Sequence, residues 1–221
     1  MTDAFKLIRR EFNLNLKNLK ASFLNIYFFI ISSFIFFISL SSELSKIEEI
    51  SHGIIWCILF FSLIFSVDQF YDADYNDGSL KELKTLGYSS TEIILSKFFI
   101  MWLFIALPLI ILSPVVLYSF TGSYPYNKIL SISLFLGSPS LILLASLGEI
   151  LLLKARKNKI MLLLIIAPFY VPVLIFGIGT IDLVRLGYSP NHNFYILIGF
   201  FMITLPLTLI LGKLSIGKVG D

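Results

Sequence analysis

Asp68-Gln69-Phe70-Tyr71-Asp72-Ala73-Asp74-Tyr75-Asn76-Asp77-Gly78-Ser79-Leu80-Lys81-Glu82-Leu83-Lys84-Thr85-Leu86-Gly87-Tyr88-Ser89-Ser90-Thr91-Glu92-Ile93-Ile94-Leu95-Ser96-Lys97 is a polar island bounded on both sides by long apolar runs. Its pattern is ordered. Asp77-Gly78 is a turn signal. Leu80, Leu83 and Leu86 recur every third residue, with Lys81, Glu82 and Lys84 between them, so a helix here carries a leucine stripe opposite its charges. Ser89–Thr91 followed by Glu92 has the capping side chain and acidic first turn of a helix start. The stretch therefore predicts a short amphipathic helix, a break at Gly87, and a second helix running into the next apolar segment.

The runs on either side set the class. Of 221 residues, 57% are hydrophobic and 14% charged, with mean hydropathy +0.90. A soluble domain of this size has no use for so much apolar surface, so the chain is expected to be an all-α integral membrane protein. A spanning helix needs roughly 20 apolar residues. Six spans are predicted, at about 21–40, 53–67, 98–119, 129–148, 160–181 and 193–212, forming one membrane domain over 21–212. The second is the shortest and ends in Asp68. Phe98–Asn127 is too long for one straight span, and Thr121-Gly122-Ser123-Tyr124-Pro125 supplies a turn inside it. Ala21–Ser42 exceeds the apolar core of a cleaved signal peptide.

Residues 1–20 repeat Phe5, Ile8, Phe12, Leu16 and Leu19 at helical spacing among Lys6, Arg9, Arg10, Lys17 and Lys20, the pattern of an amphipathic helix on a membrane surface. Charge then fixes orientation. With a cytoplasmic N-terminus, the inner side receives those five cations, Lys81, Lys84, Lys97, Lys154, Arg156, Lys157, Lys159, Lys213 and Lys218. The outer side receives Lys46, Lys128 and Arg185. Fourteen against three places both termini, the Asp68–Lys97 loop and the 213–221 tail in the cytoplasm.

Between their ends the six spans carry no Asp, Glu, Lys or Arg. Ion-coupled carriers keep ionisable groups at mid-membrane, so a transporter built from these spans draws its energy elsewhere. Pro108, Pro114, Pro139, Pro168, Pro172 and Pro206 fall inside spans and predict kinks.

Chemical motifs are few. Asp72-Ala73-Asp74-Tyr75-Asn76-Asp77-Gly78 approaches a calcium loop, but glycine stands seventh rather than sixth and position twelve is Leu83, so no metal site is assigned. Gly212-Lys213-Leu214-Ser215-Ile216-Gly217-Lys218 mimics a phosphate-binding loop up to its lysine, then Val219 replaces the hydroxyl residue. The chain is thus not expected to bind ATP itself. His52 and His192 could ligate haem iron, yet each stands alone in its predicted outer segment. Trp56 and Trp102 read as interfacial or packing residues. The single cysteine, Cys57, lies in an apolar run and defines no disulfide framework. No catalytic constellation is present, and no residue is assigned to cofactor binding.

Asp74-Tyr75-Asn76-Asp77-Gly78-Ser79-Leu80-Lys81-Glu82-Leu83, with Ser89–Ile94 and Ser96-Lys97, resembles the cytoplasmic loop of ABC-2-type permeases. More narrowly, Tyr71-x-x-Asp74-x-x-Asp77-Gly78-Ser79-Leu80 is similar to a motif of the haem exporter protein B (CcmB) family, where phenylalanine takes the place of Tyr71. Gly53-Ile54-Ile55-Trp56, Leu107-Pro108-Leu109-Ile110-Ile111-Leu112-Ser113-Pro114, Leu136-Gly137-Ser138-Pro139-Ser140-Leu141 and Pro172-Val173-Leu174-Ile175-Phe176 extend the likeness over about residues 5–215.

The resemblance implies a non-catalytic membrane subunit of an ATP-driven complex in c-type cytochrome biogenesis, located in a bacterial or mitochondrial inner membrane. Its implied partners are a cytoplasmic ATPase subunit that holds the ATP, a haem-handling membrane subunit, a periplasmic haem chaperone and a second copy of itself. Haem is the cargo of the complex, and nucleic acid has no part in it. In this frame Tyr71, Asp74, Asp77, Gly78, Ser79, Leu80, Leu83 and Leu86 form an ATPase-coupling element, a helix between spans 2 and 3. Its leucine stripe is expected to enter a groove on the ATPase, and Asp74 and Asp77 to shape and cap the turn before it. Two other functions fit parts of the sequence: an ABC-2 permease for a lipid or glycan, and a membrane transferase using the aspartates.

Overall fold

A computed structural model describes residues 2–17, 19–40, 44–122, 126–153 and 159–217; its side-chain description leaves out 2–4, 20, 21, 44–46, 48, 65, 67–70 and 159–165. The Asp68 side chain, the basic residues Lys154, Arg156 and Lys157, the turn residues Ser123–Pro125, and Lys218 and Val219 lie outside that description.

The described elements are all helical. In chain order they are α1 (Thr2–Lys17), α2 (Lys20–Leu40), α3 (Leu44–Asn76), α4 (Ser79–Thr85), α5 (Ser90–Met101), a π-helical turn at Trp102–Ala106, α6 (Leu107–Thr121), α7 (Asn127–Leu152), α8 (Lys159–Arg185) and α9 (Asn191–Gly217). Among the described residues, five segments are long and apolar enough to cross a membrane: Ser22–Leu40, Ser90–Thr121, Asn127–Leu152, Ile166–Arg185 and Asn191–Gly217. The remaining predicted span, 53–67, lies within α3. α3 as a whole has 33 residues and so reaches about 50 Å at 1.5 Å per residue.

The helix ends follow from local chemistry. Gly122, at φ +65°, closes α6 in the left-handed conformation that glycine adopts freely. Ser89 and Glu92 form a reciprocal capping box at the start of α5, as their spacing predicts. The π-helical turn sits just before Pro108, whose ring has no N–H and crowds the carbonyl of the residue four before it, Phe104. A wider turn there relieves the crowding without ending the helix.

α7 is the hub, packed against α9, α8, α3 and α6. Small residues on α7, among them Ser133, Gly137, Ser138, Ala145 and Ser146, are buried and let its neighbours come close. Trp56 of α3 is fully buried and wedged between two helices: a Cβ at Gly137 of α7 would lie 2.5 Å from its ring, and one at Gly177 of α8 would lie 2.4 Å away. Trp56 and Trp102 therefore serve packing; Trp102 donates its indole N–H to Ser138 Oγ at 3.1 Å. Several hydroxyls inside the bundle bond back to their own helices, as Ser33 does to Phe29 O, Ser62 to Ile58 O and Ser113 to Ile110 O. That satisfies them without water. α2 lies at the outside, with Phe23, Leu24, Phe34 and Ile35 exposed.

Candidate functional site

The polar island folds as two pieces. Residues 68–76 complete α3, and Asp77–Gly78 turn the chain into α4. Gly78 takes φ +82°, and Asp77 Oδ1 accepts from Ser79 N at 2.8 Å. That bond, with a further one from the Ser79 hydroxyl, holds the Asp77 carboxyl below the usual carboxylate range. α4 ends at Gly87, φ +88°, where Gly87 N donates to Lys84 O at 3.1 Å and Tyr88 N to Leu83 O at 3.2 Å. The break expected at Gly87 is therefore a glycine helix stop.

The leucine stripe divides. Leu80 and Leu83 are buried, 0% and 3% exposed, in the chain's own core. Leu86, at the C-cap of α4, is 67% exposed. The expectation that all three leucines enter a partner's groove is corrected here. At 3.6 residues per turn a three-residue spacing drifts around the helix, so Leu86 comes to the outer side, and the first two leucines anchor α4 in the core. The surface α4 offers outward is Lys81, Glu82, Thr85 and Leu86.

Asp74 also differs from expectation. It does not cap α4, whose N-cap is Gly78 without a side-chain bond. It turns instead toward Lys97 of α5 and pairs with its ammonium. Lys97 is 1% exposed and also meets Glu11 Oε2 of α1 at 3.3 Å. Glu11, itself 3% exposed, is bound by Arg10 at 2.6 Å. The Lys97 ammonium lies 5.5 Å from the centre of the Tyr71 ring, within cation–π range. Tyr71 is fully buried. Burial, then the charges of Glu149 and Glu11, push its phenol well above the ordinary value, so it stays protonated. On α7, Glu149 Oε1 accepts main-chain N–H bonds from Tyr71 at 3.1 Å and Asp72 at 3.0 Å.

A buried polar junction thus joins α1, α3, α5 and α7. Tyr71 and Asp74 from the sequence motif belong to it; Asp77, Gly78 and Ser79 build the turn; Leu80 and Leu83 anchor the helix. Glu11, Lys97 and Glu149 were not singled out by sequence reasoning. Lys97 and Glu149 stand one residue beyond the predicted spans 98–119 and 129–148, yet both are buried. The legible signal was Glu149, a lone carboxylate between Leu147-Gly148 and Ile150-Leu151.

α1 turns Leu7 and Glu11 inward, four residues apart, and leaves Phe5, Phe12 and Leu16 exposed. At the other end of the bundle, His52 is 3% exposed and its Nε2 lies 3.0 Å from Asp182 Oδ1, while Arg185 Nη1 donates to Glu49 O at 2.7 Å. His192 is exposed at the start of α9. Among the described residues no three His, Cys, Asp or Glu side chains gather at metal-binding spacing.

A bundle of apolar helices with a polar, internally anchored helix at one end defines a multi-pass membrane protein. The chain belongs to the CcmB protein family, whose sequence model matches residues 2–214. It is similar to heme exporter protein B of Pseudomonas aeruginosa, 28% identical over 183 residues that cover 82% of this chain and 81% of that protein. The same-named protein of Paracoccus denitrificans is 32% identical over 168 residues, 75% of this chain and 76% of its own. That of Haemophilus influenzae is 28% identical over 178 residues, 80% of each.

Proposed function

We propose that this chain is the membrane permease subunit of an ATP-driven complex that serves haem export in c-type cytochrome maturation, with ATP hydrolysed by a separate cytoplasmic subunit. The family match and the heme exporter relatives support the reading. The observation that carries the coupling role is the division of α4. Its inner side is fixed to the bundle by Leu80 and Leu83, and its outer side presents Lys81, Glu82, Thr85 and Leu86. A helix anchored on one face and open on the other receives a push and passes it on.

In this reading α3 is the sixth span, α1 lies on the inner surface of an inner membrane, and both termini face the cytoplasm. The exposed Phe5, Phe12 and Leu16 beside exposed Lys6 and Arg9 fit a lipid headgroup boundary. The other partners are a haem-handling membrane subunit, a periplasmic haem chaperone and a second copy of the chain. Haem is cargo, and ATP stays on the partner. The push on α4 either moves haem outward through the complex or releases the loaded chaperone. Haem-loaded vesicles holding only this chain and the ATPase separate the two: ATP-dependent haem movement without the haem-handling subunit means export.

Mild-detergent pull-down read by mass spectrometry tests the coupling surface. The double variant Glu82→Lys/Leu86→Asp should keep the protein in the membrane and lose most of the ATPase. Full ATPase recovery with that variant refutes the role given to α4.

A further inference from the structure

Force arriving at α4 reaches the bundle through the end of α3, and Glu149 of α7 is bonded to that end. Glu149 lies three residues before the end of α7 and is 5% exposed. Its Oε1 accepts from two consecutive main-chain N–H groups of α3, those of Tyr71 and Asp72. Both donors lie within the single helix α3, Tyr71 five residues before its end at Asn76. α7 therefore holds the last turn and a half of α3 by its main chain.

That gripped segment leads through Asp77 and Gly78 alone into α4. On its other side α7 packs on α9, α8 and α6. Displacing α4 accordingly loads the end of α3, and Glu149 bonds that end to the hub. A charged acceptor in a buried site makes strong, directional bonds, which suits a link that must not slip.

We propose that Glu149 is a positioning residue for energy transfer: its carboxylate couples the α3–α4 segment to α7, so that movement of α4 moves the membrane helices. The proposal rests on the reading that α4 is driven by a separate ATPase.

The test replaces the chromosomal gene in the source organism with wild type, Glu149→Leu, Glu149→Gln or Glu149→Asp. It reads three quantities from intact complexes and cells: ATPase recovered with the chain, ATP hydrolysed per complex, and yield of haem-loaded c-type cytochrome. Glu149→Leu is expected to keep the ATPase and to hydrolyse ATP within about twofold of wild type, while the yield falls at least tenfold. Glu149→Gln keeps an acceptor at the same reach and should stay within about threefold. Where Glu149→Leu fails to accumulate, Glu149→Asp decides, because it keeps the charge but withdraws the oxygens by one methylene; its yield should fall at least threefold with hydrolysis intact. Full yield from Glu149→Leu, or from Glu149→Asp in that case, overturns the proposal. So does a loss of yield that merely follows loss of the ATPase. A wild-type chain that brings down no ATPase at all refutes the functional reading and this inference together.

Discussion

Lys97→Met should destabilise the protein far more than neutralising Lys97, Glu11 and Asp74 together does. At 3.3 Å and an effective permittivity of roughly 20, the attraction between Lys97 and Glu11 is about 5 kcal/mol. Withdrawing each ion from water costs several kcal/mol, so the intact network nets close to zero against an apolar replacement. Deleting Lys97 alone removes the attraction and leaves Asp74 without this cation and Glu11 with Arg10 as its remaining cation, a loss of about 3–5 kcal/mol. The Asp74 side chain is 14% exposed and can recruit water, which places the expectation near the lower end, about 3 kcal/mol. The triple variant Lys97→Met/Glu11→Gln/Asp74→Asn leaves no buried charge among these three and should return to within about 1 kcal/mol of wild type. Thermal unfolding in mild detergent ranks the three proteins. Protease nicking of α1, which Glu11 ties to α5, reports the local effect. A single variant as stable as wild type, or a triple variant no better than the single, refutes the reasoning.

Gly177→Ala and Gly137→Ala each set a methyl group within 2.4 and 2.5 Å of the Trp56 ring. Each should cost about 1–3 kcal/mol in the same unfolding assay, and Trp56→Phe should reduce the penalty of either. Leu83→Asp should lower the amount of folded protein, whereas Leu86→Asp should leave stability unchanged, because the two side chains are 3% and 67% exposed; expression level and unfolding midpoint separate them. Ser89→Ala removes the capping box of α5 and should cost about 1 kcal/mol, read as faster amide exchange of Glu92. The Asp77 carboxyl is depressed by its bonds from Ser79, so its contribution to the turn is complete above the ordinary aspartate value of about 4 and fades as pH falls through the lowered one. The protection of the Ser79 amide relative to its intrinsic exchange rate should therefore be insensitive to pH from neutrality down to about 4 and fall below it, and Asp77→Asn should abolish that dependence.

Class, helix ends and family were legible in the chain because each rests on short-range chemistry. Apolar runs long enough to span a bilayer need no partner to be recognised. The Ser89–Glu92 box and the glycine turns at Gly78, Gly87 and Gly122 are decided within four residues. The motif from Tyr71 to Leu80 pointed to the family that the sequence model matches.

The order within that region was not legible. Periodicity grouped Leu80, Leu83 and Leu86 on one stripe but could not say which side of the stripe was core, since an apolar face reads alike whether it meets its own bundle or another protein. Asp74 next to a turn reads as a cap, and only the approach of α5 makes it a partner of Lys97. Glu11 is 86 residues from Lys97, and Glu149 is 78 from Tyr71. Pairings at that range are set by helix packing, through the small residues of α7 and the fit of Trp56 against Gly137 and Gly177. The sequence by itself determined what kind of protein this is and where its polar helix lies. The tertiary structure alone decided which charges are buried together, because burying an ion depends on what the rest of the fold brings to meet it.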